Sequence, residues 1–310
     1  MPETSIAARP YIHDATRRSV EAIPKELPPV WLYDERGSLL YEEITRLPDY
    51  YLPRREAEIL RARAGLIGEL TQARTLIELG SGSGRNTRLL LEALPLERFV
   101  PFDVSERMLR TSADAIAAAY PGISVEPIAG DFQRDLAALP HEGPRLVAFL
   151  GSTIGNLYPE QRVELLATLA DELDEEDALL AGIDLVKDPA RLEAAYHDPT
   201  GVTEAFVRNA LTAVNRELGA TFDQRGFSYE PRWDREHEWM DIGLSAREAH
   251  AVSVGQLELE LRFEKGERLR VEVSSKFRRE RFEAELEHAG LSVRGWWTDA
   301  EGDFAVALAS

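Results

Sequence analysis

The sequence predicts an α/β protein built on a mainly parallel sheet, with a second α+β lobe inserted into it. Three observations predict this. From residue 75 to 186, apolar strand-like runs alternate with stretches at helical spacing. Near Pro189 the alternation stops, and helix, loop and polar–apolar alternation follow to about Lys276. After that point a helix and two short strands resume the first pattern. A chain of 310 residues suffices for one large or two ordinary domains with a proper core.

The elements follow in order. Strands are expected over Thr75–Leu79, Arg98–Asp103, 124–129, 145–150 and 178–186. Helices are expected between them over 85–93, 105–120, 133–139 and 159–173. Strands separated by helices require right-handed crossovers and hence a parallel sheet. Beyond Pro189, 199–218 reads as helix, and 252–277 reads as strand with a hairpin-like turn at FEKGERL. Residues 278–289 read as a helix closed by Gly290, and 291–298 and 303–309 as strands joined by DAEGD. The expectation is one Rossmann-like domain, residues 55–186 plus 277–310, and a second lobe, residues 1–54 plus 187–276. The aromatic and proline-rich stretch LPPVWLYDERGSLLYEEITRLPDYYLPRREAEIL belongs mostly to that lobe. It is expected to pack with the insertion as a cleft over the carboxyl ends of the strands, where open α/β sheets bind ligands.

Composition narrows the partners. With 36 Lys and Arg against 55 Asp and Glu, the formal net charge is −19. Nucleic-acid backbones and anionic membranes both need a basic footprint, so neither is an expected partner. A small-molecule substrate is. There is no cysteine, which removes disulfides, thiolate nucleophiles and zinc–cysteine or iron–sulfur sites. The 6 histidines show no metal-ligand spacing, so no metal is expected. No segment reads as a signal peptide or membrane span, so the cytoplasm is the expected location. No long heptad pattern is present, and a monomer is expected.

The chemistry is concentrated in LIELGSGSGRNTRLLLEAL, which reads as strand, glycine turn and helix. Gly80, Gly82 and Gly84 let the backbone turn sharply and approach a ligand. The dinucleotide fingerprint needs a third glycine at 85, and that residue is Arg85; the phosphate-loop pattern is absent too. With Glu78 ahead of it, the turn resembles the first motif of class I S-adenosylmethionine-dependent methyltransferases. Asp103 ends the next strand, 23 residues after Gly80, where an acid can bond ribose hydroxyls. Asp131 and Phe132 end the third, where an acid can accept from the adenine amino group while the ring covers its face.

Almost end to end, the chain resembles the histidine Nα-methyltransferases of ergothioneine biosynthesis. The resemblance is carried by LPPVWLYDERGS, ITRLPDYYLPRREAEIL, ELGSGSGRNTRLLL, PFDVS, FLGSTIGNL, DLVKDPARLEAAY, GVTEAFVRN, EVSSKF and WWTDAEGDF, in that order. It implies S-adenosylmethionine as methyl donor and three transfers to the α-amine of L-histidine, giving the betaine hercynine. It implies donor binding by Gly80, Asn86, Asp103, Asp131 and Phe132, with Asn86 standing where relatives can have lysine. Tyr50, Asn156 and Tyr196 would hold the substrate, its carboxylate against Asn156 and Tyr196, with Tyr50 and Asn156 orienting the amine. Glu272 and Ser274 would read the imidazole. Two apart on a strand, they project from one face. A carboxylate can take the ring N–H and a hydroxyl can donate to the other nitrogen. Ile242 of EWMDIGLSAR stands where some relatives have methionine, and is expected to supply an apolar wall. Two rival readings stay open: an N-methyltransferase of another amino acid such as tryptophan, and a non-catalytic S-adenosylmethionine-binding protein. The first would ignore histidine; the second would bind donor without turnover.

Overall fold

The structure is a computed structural model that describes residues 11–310. The first ten residues assigned above to the second lobe lie outside it. Contacts divide the chain into a parallel-sheet unit, Tyr51–Lys187 with Ser275–Ser310, and a mixed-sheet unit, the residues through Tyr50 with Asp188–Ser274. Helices and strands are numbered along the whole chain.

The parallel-sheet unit holds α3 (Leu52–Thr71), β2 (Thr75–Leu79), α4 (Thr87–Ala93), β3 (Arg98–Asp103), α5 (Glu106–Ala119), β4 (Ser124–Val125) and β5 (Ile128–Ala129). It continues with β6 (Arg145–Phe149), α6 (Pro159–Glu172), β7 (Ala178–Asp184), α9 (Arg279–His288), β14 (Val293–Thr298) and β15 (Phe304–Ala309). The strand order is β14-β15-β7-β6-β2-β3-β4, with β5 also on β3. Strands β2, β3, β4, β6 and β7 run parallel; β15 is antiparallel to β7 and β14 to β15. Every residue of β2, β6 and β7 is buried, which is why these strands read as mostly apolar runs rather than alternations. Ile77, Val147, Phe149, Leu179, Leu166 and Phe282 belong to one core, each large side chain contributing about 1.5–3 kcal/mol by leaving water. The chain builds outward from β2 to β3 and then returns to β6 on the other side of β2. That reversal is the point at which open α/β sheets bind ligands, beyond the carboxyl ends of the strands.

Two expected elements are corrected. The strand at 124–129 is two short pieces, because Pro127 has no N–H to donate to β3. The helix at 133–139 is only a 3-10 turn, Leu136–Ala138. Asp131 and Asp135 bond backbone amides there instead, and Pro140 closes a segment too short to sustain helix.

The mixed-sheet unit holds α1 (Ile12–Glu21), β1 (Lys25–Glu26), α2 (Glu35–Ile44), α7 (Pro189–Tyr196), α8 (Val202–Leu218), β8 (Phe227–Tyr229), β9 (Arg232–Asp234), β10 (Trp239–Ala246), β11 (His250–Val254), β12 (Leu259–Phe263) and β13 (Arg268–Ser275). One sheet runs β1-β13-β10-β8 with β9 also on β10, and β11 and β12 form a second, antiparallel pair. The turn FEKGERL is therefore not a hairpin. It carries the chain from β12 to β13, which lie in different sheets, and the true hairpin joins β11 to β12 through the turn Gly255–Leu257. Alternation alone marks strands and not their partners. Helix α2 starts at Asp34, whose carboxylate accepts from Gly37 N (2.8 Å) and from Asn209 Nδ2 on α8 (2.6 Å).

Candidate functional site

In the parallel-sheet unit, β2 ends and the chain turns at Gly80, which has φ of 75°. A side chain there would be strained, and its Cβ would stand 2.9 Å from the Thr153 methyl of the loop after β6. The glycine loop and the 150–156 loop thus meet at the sheet's reversal point. Around them, among the described residues, nothing beyond the chain neighbours stands within 4 Å of a Cβ position at Gly82 or Gly151, and the buried Ser81 hydroxyl has no hydrogen-bond partner. Bare backbone and an unpartnered hydroxyl at a strand reversal suit a polar ligand such as a nucleoside-bearing methyl donor.

The acids expected at the strand ends stand at that rim. Asp103 accepts from Gly82 N (2.9 Å) and Ser105 N (2.8 Å), so it shapes the glycine loop as well as facing it. Half-buried Asp131 accepts from Gln133 N at 3.0 Å, and Phe132 stands edge-on to Phe149 with centroids 5.4 Å apart. Asn156 ends the 3-10 turn Thr153–Asn156 in the loop after β6. Asn86 precedes α4 and spends its amide hydrogens on Pro53 O (3.0 Å) and Glu56 Oε2 (2.7 Å). Its carbonyl oxygen is the group left to face a ligand.

Glu56 of α3 was not anticipated from sequence. It is buried and, among the described residues, has no cationic partner; its other oxygen accepts from Gly151 N at 2.7 Å. Burial pushes its carboxyl up to about 7 against the opposing pull of these hydrogen bonds. Burial likewise lifts Glu78 to about 8, with Glu56 and Asp103 adding and the Thr87 hydroxyl bond opposing. One side chain therefore tethers both loops that frame the reversal point. The only sequence signal was a single acid on the apolar side of a helix.

The mixed-sheet unit gathers five other expected residues, Tyr50, Tyr196, Ile242, Glu272 and Ser274. Glu272 and Ser274 lie on β13 and are both buried, 8% and 4% exposed, so this strand is no solvated face. Tyr33 donates to Glu272 Oε1 at 3.0 Å, and Tyr196, the last residue of α7, donates to Ser274 Oγ at 2.8 Å. Tyr229 donates to the Tyr196 carbonyl at 2.6 Å. Tyr50 stands edge-on to Tyr196 (6.0 Å) and Tyr41 (6.4 Å). Burial first, then Tyr41 and Tyr196, holds the Tyr50 phenol well above its ordinary 10, so at neutral pH it is a hydroxyl and not a base. Ile242 and Met240 are both buried on β10, next to β13 in the sheet. Sequence reasoning missed Tyr33, Tyr41 and Tyr229; the hydrogen-bond partners of Tyr33 and Tyr229 are distant in sequence, though Tyr33 lies within LPPVWLYDERGS. Among the described residues, no group of three or more His, Cys, Asp or Glu is placed to hold a metal ion.

A family model described as histidine-specific, S-adenosylmethionine-dependent methyltransferase matches residues 12–310. The chain is 51% identical over 304 residues to the histidine N-alpha-methyltransferase of Mycolicibacterium smegmatis, covering 96% of this chain and 95% of that protein. It is 48% identical to the protein of the same name from Mycobacterium tuberculosis, again covering 96% and 95%. It is also 31% identical to ergothioneine biosynthesis protein 1 of Neurospora crassa, over 89% of this chain and 32% of that longer protein.

Proposed function

The chain belongs to the histidine-specific, S-adenosylmethionine-dependent methyltransferase family, and from that premise we propose that it trimethylates the α-amine of L-histidine to hercynine, the opening step of ergothioneine biosynthesis. The observation that carries the substrate reading is the pair on β13. Buried Glu272 and Ser274 present an acceptor and a hydroxyl two residues apart on one strand, each already oriented by a tyrosine. Neutral imidazole carries one donor and one acceptor and matches the pair; indole and phenol lack the second ring nitrogen. A site built to pair a polar group can reject an analogue lacking it by about 10⁴–10⁵.

Gly80, Asn86, Asp103, Asp131 and Phe132 hold the methyl donor in this reading, which brings an activated methyl group on a sulfonium. Asp103 and Asp131 take its hydroxyl and amino hydrogens, and Phe132 covers the adenine. Tyr50, Asn156 and Tyr196 hold the amino-acid end of histidine. Orientation is the chain's main contribution, since aligned reactants can gain about 7–11 kcal/mol. The nucleophile is the neutral amine, with an ordinary pKa of about 8. The Tyr50 hydroxyl, held protonated, orients that amine rather than removing its proton, and tyrosine faces can favour the growing ammonium by about 0.5–2 kcal/mol. Residues through Tyr50 with Asp188–Ser274 serve as the substrate-binding lobe and the parallel-sheet unit as the donor-binding domain.

The protein acts as a cytoplasmic monomer without nucleic-acid or membrane partners. A net charge of −19 speaks against a nucleic-acid or anionic-membrane partner, and among the described residues no helix is long and apolar enough to cross a membrane. The test is mass spectrometry of purified protein with S-adenosylmethionine and each amino acid in separate reactions. A histidine-dependent product three methyl groups heavier is the expected result. Methylated tryptophan instead would overturn the roles of Glu272 and Ser274, and donor binding without any product would leave only a binding protein.

A further inference from the structure

The chain passes between its two units three times, at Tyr50–Tyr51, Lys187–Asp188 and Ser274–Ser275. Within the parallel-sheet unit, the residues at these passages converge on one carboxylate. Asp184, the fully buried last residue of β7, accepts from the Tyr51 hydroxyl at 3.0 Å on both oxygens. Lys187 Nζ donates to Asp184 Oδ1 at 2.5 Å and to the Tyr51 oxygen at 2.7 Å. Lys276 Nζ, with its side chain fully buried, lies 2.8 Å from Asp184 Oδ2. Tyr51 and Lys187 each abut a passage, and Lys276 is one residue removed from the third. The backbone joins in: Phe277 N donates to Asp184 O, Val186 N donates to Phe277 O, and the Ser152 hydroxyl accepts from Asp184 N.

The composition of this cluster is unusual for a core. The chain has lysine only at 25, 187, 265 and 276, and two of the four are used here. Withdrawing one carboxylate and two ammoniums from water is expensive, and apolar residues of similar size would often serve stability as well. Such groups are best explained where they fix geometry, because a directional bond between charges tolerates less displacement than apolar packing. The geometry at stake is local. Ser274 is two residues from Lys276 and Tyr50 is bonded to Tyr51, so displacement of either anchor reaches a proposed substrate-binding side chain within about 7 Å of extended backbone.

We infer that Asp184 is a positioning residue for histidine recognition, fixing through Tyr51, Lys187 and Lys276 the points at which all three connections leave the parallel-sheet unit. The inference rests on the functional reading above. It makes a specific prediction: loosening the cluster weakens histidine binding and spares the donor, whose proposed ligands lie between β2 and α4, at the end of β3 and just before Gln133. Two full-length variants test it. Lys276→Met keeps the length of the side chain and removes its charge. Tyr51→Phe removes one oxygen atom and leaves both lysines on Asp184.

The readout is calorimetric binding of S-adenosylhomocysteine, and of L-histidine in its presence, alongside single-turnover methylation. L-Histidine Kd is expected to rise tenfold or more in Lys276→Met and about threefold in Tyr51→Phe, with S-adenosylhomocysteine Kd within twofold of wild type. A merely structural loss would lower both affinities together, and that result, or an unchanged histidine Kd, overturns the inference. If Lys276→Met does not fold, Tyr51→Phe alone decides by the same criterion. Wild-type protein that binds S-adenosylhomocysteine but neither binds nor methylates histidine overturns the functional reading itself, and this inference with it.

Discussion

Replacing Glu56 with glutamine should change how stability depends on pH, because wild-type Glu56 carries a buried carboxyl with no cation beside it among the described residues. Its proton is held up to about 7, against an ordinary value of 4.5. A carboxyl whose folded pKa exceeds its unfolded one binds its proton more tightly in the folded state. It therefore costs nothing below about pH 4.5, destabilises progressively as pH rises through the window, and levels off above about 7. The difference of about 2.5 in pKa, at about 1.4 kcal/mol each, makes the full loss about 3.5 kcal/mol. Most of it, about 2–3 kcal/mol, falls between pH 5 and pH 8. Glutamine keeps an acceptor for Gly151 N and a side chain of the same size, but it does not titrate. It also sets an amide against the Asn86 amide and loses that bond, at a pH-independent cost of about 1 kcal/mol. Denaturant unfolding of both proteins at pH 5, 6, 7 and 8 measures the result. Wild type should start ahead at pH 5 and lose about 2–3 kcal/mol relative to Glu56→Gln by pH 8. The comparison cancels every other titrating group except those coupled to Glu56, chiefly Glu78. Parallel profiles for the two proteins would refute the reasoning, since the carboxyl would then titrate alike folded and unfolded.

Glu272→Gln should raise the KM for histidine about 10- to 100-fold, the worth of about 1.5–3 kcal/mol for a charge-assisted hydrogen bond, with donor Kd unchanged; steady-state kinetics with each substrate varied separates the two. Tyr33→Phe removes the bond that orients Glu272 and should cost about fivefold in histidine KM, a smaller effect in the same direction; a Tyr33 variant with unaltered KM would mean that Glu272 needs no such support. Arg145→Met should destabilise by about 3–5 kcal/mol without altering either KM, because Arg145 bonds Asp177 Oδ2 through Nε at 2.8 Å in a fully buried pair remote from the glycine loop; urea unfolding together with kinetics checks both halves.

What sequence alone determined was local or periodic. The unit β2–glycine turn–α4 was legible because its signals lie within a few residues: an apolar strand, a glycine at 80 whose φ of 75° strains most side chains, then helical spacing. Asp103 and Asp131 were legible as strand-end acids for the same reason, since a strand's carboxyl end is marked by where its apolar run stops. The pairing of Glu272 with Ser274 followed from the two-residue period of a strand. Where local signals failed, a neighbouring residue decided otherwise, as Pro127 did in splitting a strand and Asp131 did in turning a short helix into a cap.

Tertiary structure alone decided which distant residues meet. Glu56 reaches Gly151 across 95 positions, and Tyr33 reaches Glu272 across 239. Strand β13 takes β1 and β10 as neighbours and not β12, the strand before it, so an apparent hairpin became a crossing between sheets. No residue pattern announces such pairings, because the alternation that makes a strand is the same whichever strand it joins. The partner is chosen by how whole faces bury, and only then does a lone acid on a helix become a buried carboxyl near pH 7, or Asp184 the meeting point of two lysines and a tyrosine.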